Sequence, residues 1–250
     1  MNDPPRPLTE HLEELRRRLF WVLAAWAGCA GLAGIRAKDA FEILSRPAVE
    51  AVRSRGHTLI AIAPPELFFT YLKTALLVGF VLSLPMTLYH AWAFVAPGLY
   101  KNERRLVFPF VLATTLLFFA GCAFGYFIAF PFVFEYFLTL EAEYVTTSWS
   151  MQNVFGFISR LYLAFGIAFE LPVAILILSL AGIVTPRTLA RGRPYAVVVM
   201  FALGAVLTPP DVISQILLAV PLLILYESGI WISRLVVRRR RASLDDVATE

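Results

Sequence analysis

The chain has 250 residues, 59% of them hydrophobic and 16% charged, with a mean hydropathy of +0.71. Soluble domains carry roughly 45–50% apolar and about 25% charged residues, so this chain has too few charges for a polar shell, and lipid is the solvent for most of it. The same numbers exclude disordered, collagen-like and disulfide-rich proteins, and the net charge of +4 matters less than where the charges sit.

Leu8, Leu12, Leu15 and Leu19 repeat at helical spacing, with Thr9 placed as an N-cap and Glu10 in the first turn. Glu13 with Arg17 and Glu14 with Arg18 are i,i+4 pairs. Residues 8–18 therefore read as an amphipathic helix lying along the membrane interface. Leu19–Ile35 follows without a charge for 17 residues. Arg16-Arg17-Arg18 ahead of it resembles a secretory signal, but five further apolar runs make it the first membrane helix.

Thr74–Tyr100 is uncharged for 27 residues and Leu106–Phe134 for 29. A fourth region, from about Val154 to Val184, is interrupted only by Arg160 and Glu170. A fifth, Pro194–Pro210, is short, and a sixth, Val212–Ser233, is broken by Glu227. A helix needs about 20 apolar residues to cross a bilayer core. Only helices or closed barrels satisfy their backbone there, and continuous apolar runs exclude the alternating barrel pattern. The expectation is an all-α integral membrane protein of six helices, near 19–36, 67–93, 106–138, 154–183, 194–208 and 212–235. Between them lie a loop at 37–65, a loop at 94–105 and a tail at 236–250, with no soluble domain. Pro194–Leu207 reaches only about 21 Å and helix six has just 15 uncharged residues between Asp211 and Glu227, so both read as short and thin the bilayer locally or shelter behind partners.

With the N-terminus in the cytoplasm, that side carries fifteen Lys and Arg residues, and the other side only the five between Arg36 and Arg55. Both termini are therefore read as cytoplasmic. The tail Arg238–Arg241, followed by Asp245 and Asp246, reads as a membrane-surface anchor with a short disordered end.

Ionisable groups inside spans are functional candidates. Glu170, in Phe169-Glu170-Leu171-Pro172, is the clearest, because Pro172 removes the bond to the Ala168 carbonyl beside it. It is either satisfied within the bundle, by Arg160 or Lys73, or it meets a polar group of another subunit or carries a proton. Glu135, Glu227 and Lys73 lie nearer span ends and read as interfacial. Gln215 is placed to hydrogen-bond across helices. Glu103 stands among Lys101, Arg104 and Arg105, and Glu14 on a helix face. Each is either an ordinary surface charge or an acceptor for a bidentate guanidinium. Cys29 and Cys122 read as small buried hydrophobes, with no metal-ligand spacing.

Four segments carry a resemblance: His11-Leu12-Glu13-Glu14-Leu15-Arg16-Arg17-Arg18; Trp92 through Arg105; Phe165 through Pro172; and Leu207-Thr208-Pro209-Pro210-Asp211-Val212. In this order, over nearly the whole chain, they resemble the TatC family of the twin-arginine protein translocase. Arg17 stands where the family often has lysine. The resemblance implies a receptor, with no enzymatic activity and no cofactor, in the bacterial cytoplasmic membrane. It implies recognition of the twin-arginine signal peptides of folded precursor proteins, and transport driven by the protonmotive force. The implied partners are TatB-like and TatA-like single-span subunits, other copies of itself and the lipid bilayer, with no nucleic acid. It assigns signal-peptide binding to Glu103, with Phe94, Glu14 and Arg16, and contact with single-span partners to Glu170. It also marks Pro47, Pro85 and Asp211 as functional positions. The rival is a small secondary transporter coupling protons through Glu170, but the span lengths show no repeat between halves.

Overall fold

The computed structural model describes residues 8–95, 107–140, 147–207 and 212–248. They are helical apart from connections and a single parallel bridge between Ile60 and Ser150. Five helical stretches are long and apolar enough to cross a membrane, within Leu12–Ile35, Pro64–Phe94, Phe108–Thr139, Met151–Leu180 and Gln215–Arg238. A sixth apolar helix, Arg193–Val206, is shorter. Large apolar side chains point outward along them, Phe108 at 75% exposed and Val206 at 78% among them, as lipid-facing surfaces require.

Two compact units divide the chain. The first runs through Leu116 and takes in Ser148–Gly156. Its frame is α1 (Leu8–Ile35) against α3 (Pro64–Val95). Small residues set the distance: a Cβ on Gly79 would lie 2.5 Å from the Ala30 Cα, and one on Gly34 would just touch the Ala75 Cβ at 4.0 Å. Such backbone proximity is how helices associate where lipid competes with every apolar contact. Trp26 Nε1 donates to the Leu76 carbonyl at 2.9 Å, and its ring meets Phe80 edge-on. Residue numbers rise along α1 as they fall along α3, so the pair is antiparallel.

The interfacial helix expected at 8–18 is not a separate element. It continues into the first span as one 28-residue helix, because strong helix formers and the Glu14–Arg18 pair carry the ladder through without a Pro or Gly before Gly28. The loop expected at 37–65 is also corrected. Its first part is α2 (Ala37–Ser54), which buries Ala37, Phe41, Ser45, Ala48 and Val52 along one face. Phe41 packs on Tyr71 and Phe155 at ring separations of 6.0 and 5.4 Å. Pro47 lies inside α2, half-buried, and Pro85 lies inside α3, exposed; both helices continue past the missing donor.

The second unit comprises Leu117–Thr147 and the chain from Phe157. Helix α4 (Val107–Phe124) passes through a π-helical turn, Gly125–Ala129, into α5 (Phe130–Thr139). Pro131 has no N–H for the Phe127 carbonyl, and the wide turn absorbs the shift, with the Phe130 N–H reaching back five residues to Gly125. This composite span packs antiparallel on α6 (Met151–Phe169). Phe134 meets Phe157, Phe130 meets Tyr162 and Phe124 meets Phe165. Gly121 and Gly166 admit the Phe165 carbonyl and the Phe118 ring.

Helix α7 (Leu171–Leu180) ends at Gly182, whose φ of +75° suits only glycine. The six-residue α8 (Pro186–Arg191) follows, then α9 (Arg193–Leu207) and α10 (Val212–Ala248). Gly229 lets α10 approach the Pro172 and Ile175 side of α7, and Gly204 brings α9 against Gln215. Two expectations are corrected here: helix six is not short, since Gln215–Arg238 is long and apolar enough to cross a membrane despite Glu227, and in place of a disordered end after Arg241 the backbone of α10 stays helical to Ala248, over 37 residues or about 55 Å.

Candidate functional site

The antiparallel register of α1 and α3 assembles the first candidate site. Ala30 faces Gly79 and Gly34 faces Ala75. Equal numbers of residues counted from there along both helices, toward the start of α1, set Arg18 level with Ala91 and Glu14 level with Val95 in height along the pair. Phe94 and His90 each stand one residue from those positions. Two of the expected signal-peptide residues, Glu14 and Phe94, thus share one end of the helix pair.

Glu14 is already engaged there. Arg18 Nε donates to Glu14 Oε1 at 3.0 Å and Nη2 to the same oxygen at 2.5 Å. The two side chains are 21% and 20% exposed, so the pair is largely shielded. The carboxylate therefore sits where a guanidinium is its natural partner. Arg16 is exposed on the same helix. Glu103 and Asp211 lie outside the described residues.

Glu170 is the second candidate. It occupies the break between α6 and α7, with its N–H on the Ile167 carbonyl at 3.1 Å. It stands at the N-cap of α7 without capping it: its backbone is helical (φ −75°, ψ −16°) and not extended as in a capping residue, and Pro172 at N2 has no N–H to offer. Among the described residues its Oε1 is buried with no hydrogen-bond partner. Internal satisfaction by Arg160 is not what the structure contains: Arg160 is exposed on α6, about 15 Å of helix away.

Gln215 does hydrogen-bond across helices, its Nε2 donating to the Phe201 carbonyl on α9 at 2.7 Å. Near the other end of this hairpin Arg193 forks onto Glu227, Nε to Oε1 at 2.5 Å and Nη2 to Oε2 at 2.8 Å. Tyr226 beside it donates to the Leu189 carbonyl on α8. Glu227 is thus a tertiary ion-pair partner as well as an interfacial residue.

Sequence reasoning overlooked Glu66. It is 6% exposed in the first turn of α3. Its Oε1 accepts from Ser150 Oγ at 2.5 Å and the Gln152 N–H at 2.9 Å, and its Oε2 from the Ile62 N–H at 2.6 Å. Ser150 Oγ also accepts from the Asn153 N–H, which makes Ser150 the N-cap of α6. One carboxylate therefore joins the starts of two helices, where the backbone leaves donors unpaired. The available signals were Pro64-Pro65-Glu66 opening a helix and Ser150 three residues before Asn153.

Long apolar helices, outward-facing apolar surfaces, small-residue packing and, among the described residues, a glutamate with one oxygen buried without a partner define a multi-pass helical membrane protein. The chain belongs to the TatC family: residues 10–221 match the family model described as Sec-independent protein translocase protein (TatC). The protein of that name from Escherichia coli (strain K12) is 41% identical over 236 residues, covering 94% of this chain and 91% of the relative. The one from Aquifex aeolicus (strain VF5) is 40% identical over 237 residues, covering 94% and 98%. A crystal structure described as the twin-arginine translocase receptor TatC is similar with a TM-score of 0.82 and 39% identity, over 91% of this chain and 99% of that one. The protein is accordingly a component of a protein-transport system.

Proposed function

We propose that this chain is the receptor subunit of a twin-arginine translocase in the bacterial cytoplasmic membrane. It crosses the bilayer six times, with α9 as the short fifth span and both termini cytoplasmic. At the cytoplasmic face Glu14 and Glu103 accept the two arginine side chains of a signal peptide, with Phe94 and Arg16 beside them. Glu170 meets a polar group of a TatB-like or TatA-like single-span subunit within the membrane. Folded precursors then cross, driven by the protonmotive force. Pro47 and Pro85 serve as shaping positions, Asp211 is a further functional position, and Gln215 ties α9 to α10.

The observation that carries this reading is the α1–α3 register, which brings Glu14 and Phe94 to one end with a guanidinium already on the carboxylate. A bidentate acceptor suits arginine better than lysine, because only the guanidinium presents a planar fork of donors. Photocrosslinking of a twin-arginine precursor to membranes holding this chain and its partners tests it. Glu103→Ala, Glu103→Gln and a twin-lysine precursor provide the comparisons. Crosslinks that vanish in both variants, with expression and assembly intact, support Glu103 as a receptor carboxylate. Undiminished crosslinks make it a loop charge. The absence of any crosslink in the unaltered chain favours the rival reading, a proton-coupled transporter using Glu170.

A further inference from the structure

Glu14 poses a question about the state before a ligand arrives. Its carboxylate is about four-fifths shielded, and a bare charge there would be costly. Arg18, one turn on, removes that cost by placing Nε and Nη2 on Oε1. The donors are those an incoming arginine would bring, on the acceptor it would use. Their geometry comes from helix spacing alone: Glu before Arg at i,i+4 is the favourable order, and no other element is needed to form the pair. Opening this shielded pair is costly unless another guanidinium takes the place of Arg18, so the exchange is tied to arrival of a ligand with the same donors.

We propose that Arg18 is an internal stand-in ligand: its guanidinium occupies the Glu14 carboxylate at rest and is displaced by an arginine of the bound peptide. This rests on the receptor reading above and adds a device to it. A ligand that must displace an internal competitor binds with its affinity reduced by the fraction of sites standing open. Arg18 therefore lowers the resting affinity and refills the site as the peptide leaves. A receptor that must hand its cargo onward gains from that release. The alternative role, in which Arg18 holds Glu14 in place for the ligand, has the opposite sign.

Binding of a fluorescent synthetic signal peptide bearing Arg-Arg, to membranes containing the full chain and its partners, separates these roles. A Lys-Lys peptide is the control, and the variants are Arg18→Gln, Arg18→Lys, Glu14→Gln and the double variant Glu14→Gln/Arg18→Gln. Arg18→Gln is expected to tighten Arg-Arg binding about two- to five-fold, the range for a competitor occupying half to four-fifths of sites. Arg18→Lys, which keeps the charge and loses the fork, tightens it less but in the same direction. If Arg18→Gln does not reach the membrane, the Arg18→Lys result decides alone. The double variant is expected to bind as Glu14→Gln does, because without the carboxylate there is nothing to compete for. Unchanged or weaker binding by Arg18→Gln overturns the inference in favour of a positioning role. Equal tightening in the Glu14→Gln background overturns it in favour of a general charge effect. An unaltered chain that fails to prefer Arg-Arg over Lys-Lys defeats the receptor reading and this inference with it. A clear preference with a failed Arg18 series leaves the receptor reading standing.

Discussion

Glu66 and Glu170 are two glutamates at helix boundaries, and they are treated in opposite ways. Glu66 sits where two helices begin, and three donors converge on its two oxygens. Glu170 sits where α6 ends and α7 begins, and among the described residues its Oε1 is buried without a partner. The cause is backbone direction. Helix starts expose N–H groups, whereas a helix end exposes carbonyls, which repel a carboxylate. The new start at α7 offers little relief because Pro172 occupies N2. Glu66 therefore closes a structure, and Glu170 leaves one open to a donor from outside.

The sequence shows one of these sites and hides the other for related reasons. Glu170 is visible because a carboxylate inside an apolar run beside a proline is anomalous whatever it touches. Glu66 is invisible because an acidic residue early in a helix is ordinary, and its role depends on Ser150, 84 positions away. The Arg193–Glu227 fork is hidden likewise, since the pairing appears only once α9 and α10 fold back on each other. The long spans, Gln215 and the Glu14–Arg18 pair are legible because each is a local pattern. Helix α2 was legible too, in the spacing of Ala37, Phe41, Ser45, Ala48 and Val52, but its charges and Pro47 masked the stripe. Glu103 and Asp211 lie outside the described residues.

The contrast can be broken by melting the purified protein in detergent, and the largest shift is expected at Glu66. Glu66→Ala leaves the Ile62 and Gln152 N–H groups and the Ser150 hydroxyl without their acceptor, and melting should fall by on the order of 10 °C. Glu66→Gln keeps the shape but must turn an NH2 group toward one set of donors, so it recovers little of the loss. A shift under about 2 °C for both would mean that the junction is held by the Ile60–Ser150 bridge instead.

Ser150→Ala sharpens the same point at smaller scale. It removes one of three donors to Glu66 and the N-cap of α6, while the Gln152 and Ile62 N–H bonds survive. A cap loss of about 1 kcal/mol corresponds to a fall of about 2–4 °C. A fall as large as that of Glu66→Ala would show the serine to be the centre of the junction. Glu227→Gln is smaller again. Its fork with Arg193 is geometrically good but about half exposed, at 38% and 48%, and exposed pairs contribute little. Melting should move by less than about 2 °C and raised salt should erase the difference.

Glu170→Gln is expected to change melting least, and in either direction, which is where the two glutamates part. Among the described residues no hydrogen bond to Oε1 exists to be lost, and the neutral amide is cheaper to bury than a carboxylate. The cost falls elsewhere: crosslinking of the chain to its single-span subunits should drop roughly ten-fold or more, the size of a lost bond to a charged group. An unchanged melting temperature together with a weakened subunit crosslink is the signature of a group held open for an external donor. A fall in melting like that at Glu66, with the subunit crosslink intact, would place the missing donor within this chain. A carboxyl oxygen left without a donor by its own fold is relieved either by a proton or by an assembly that completes it, and this pair of measurements asks whether an assembly does.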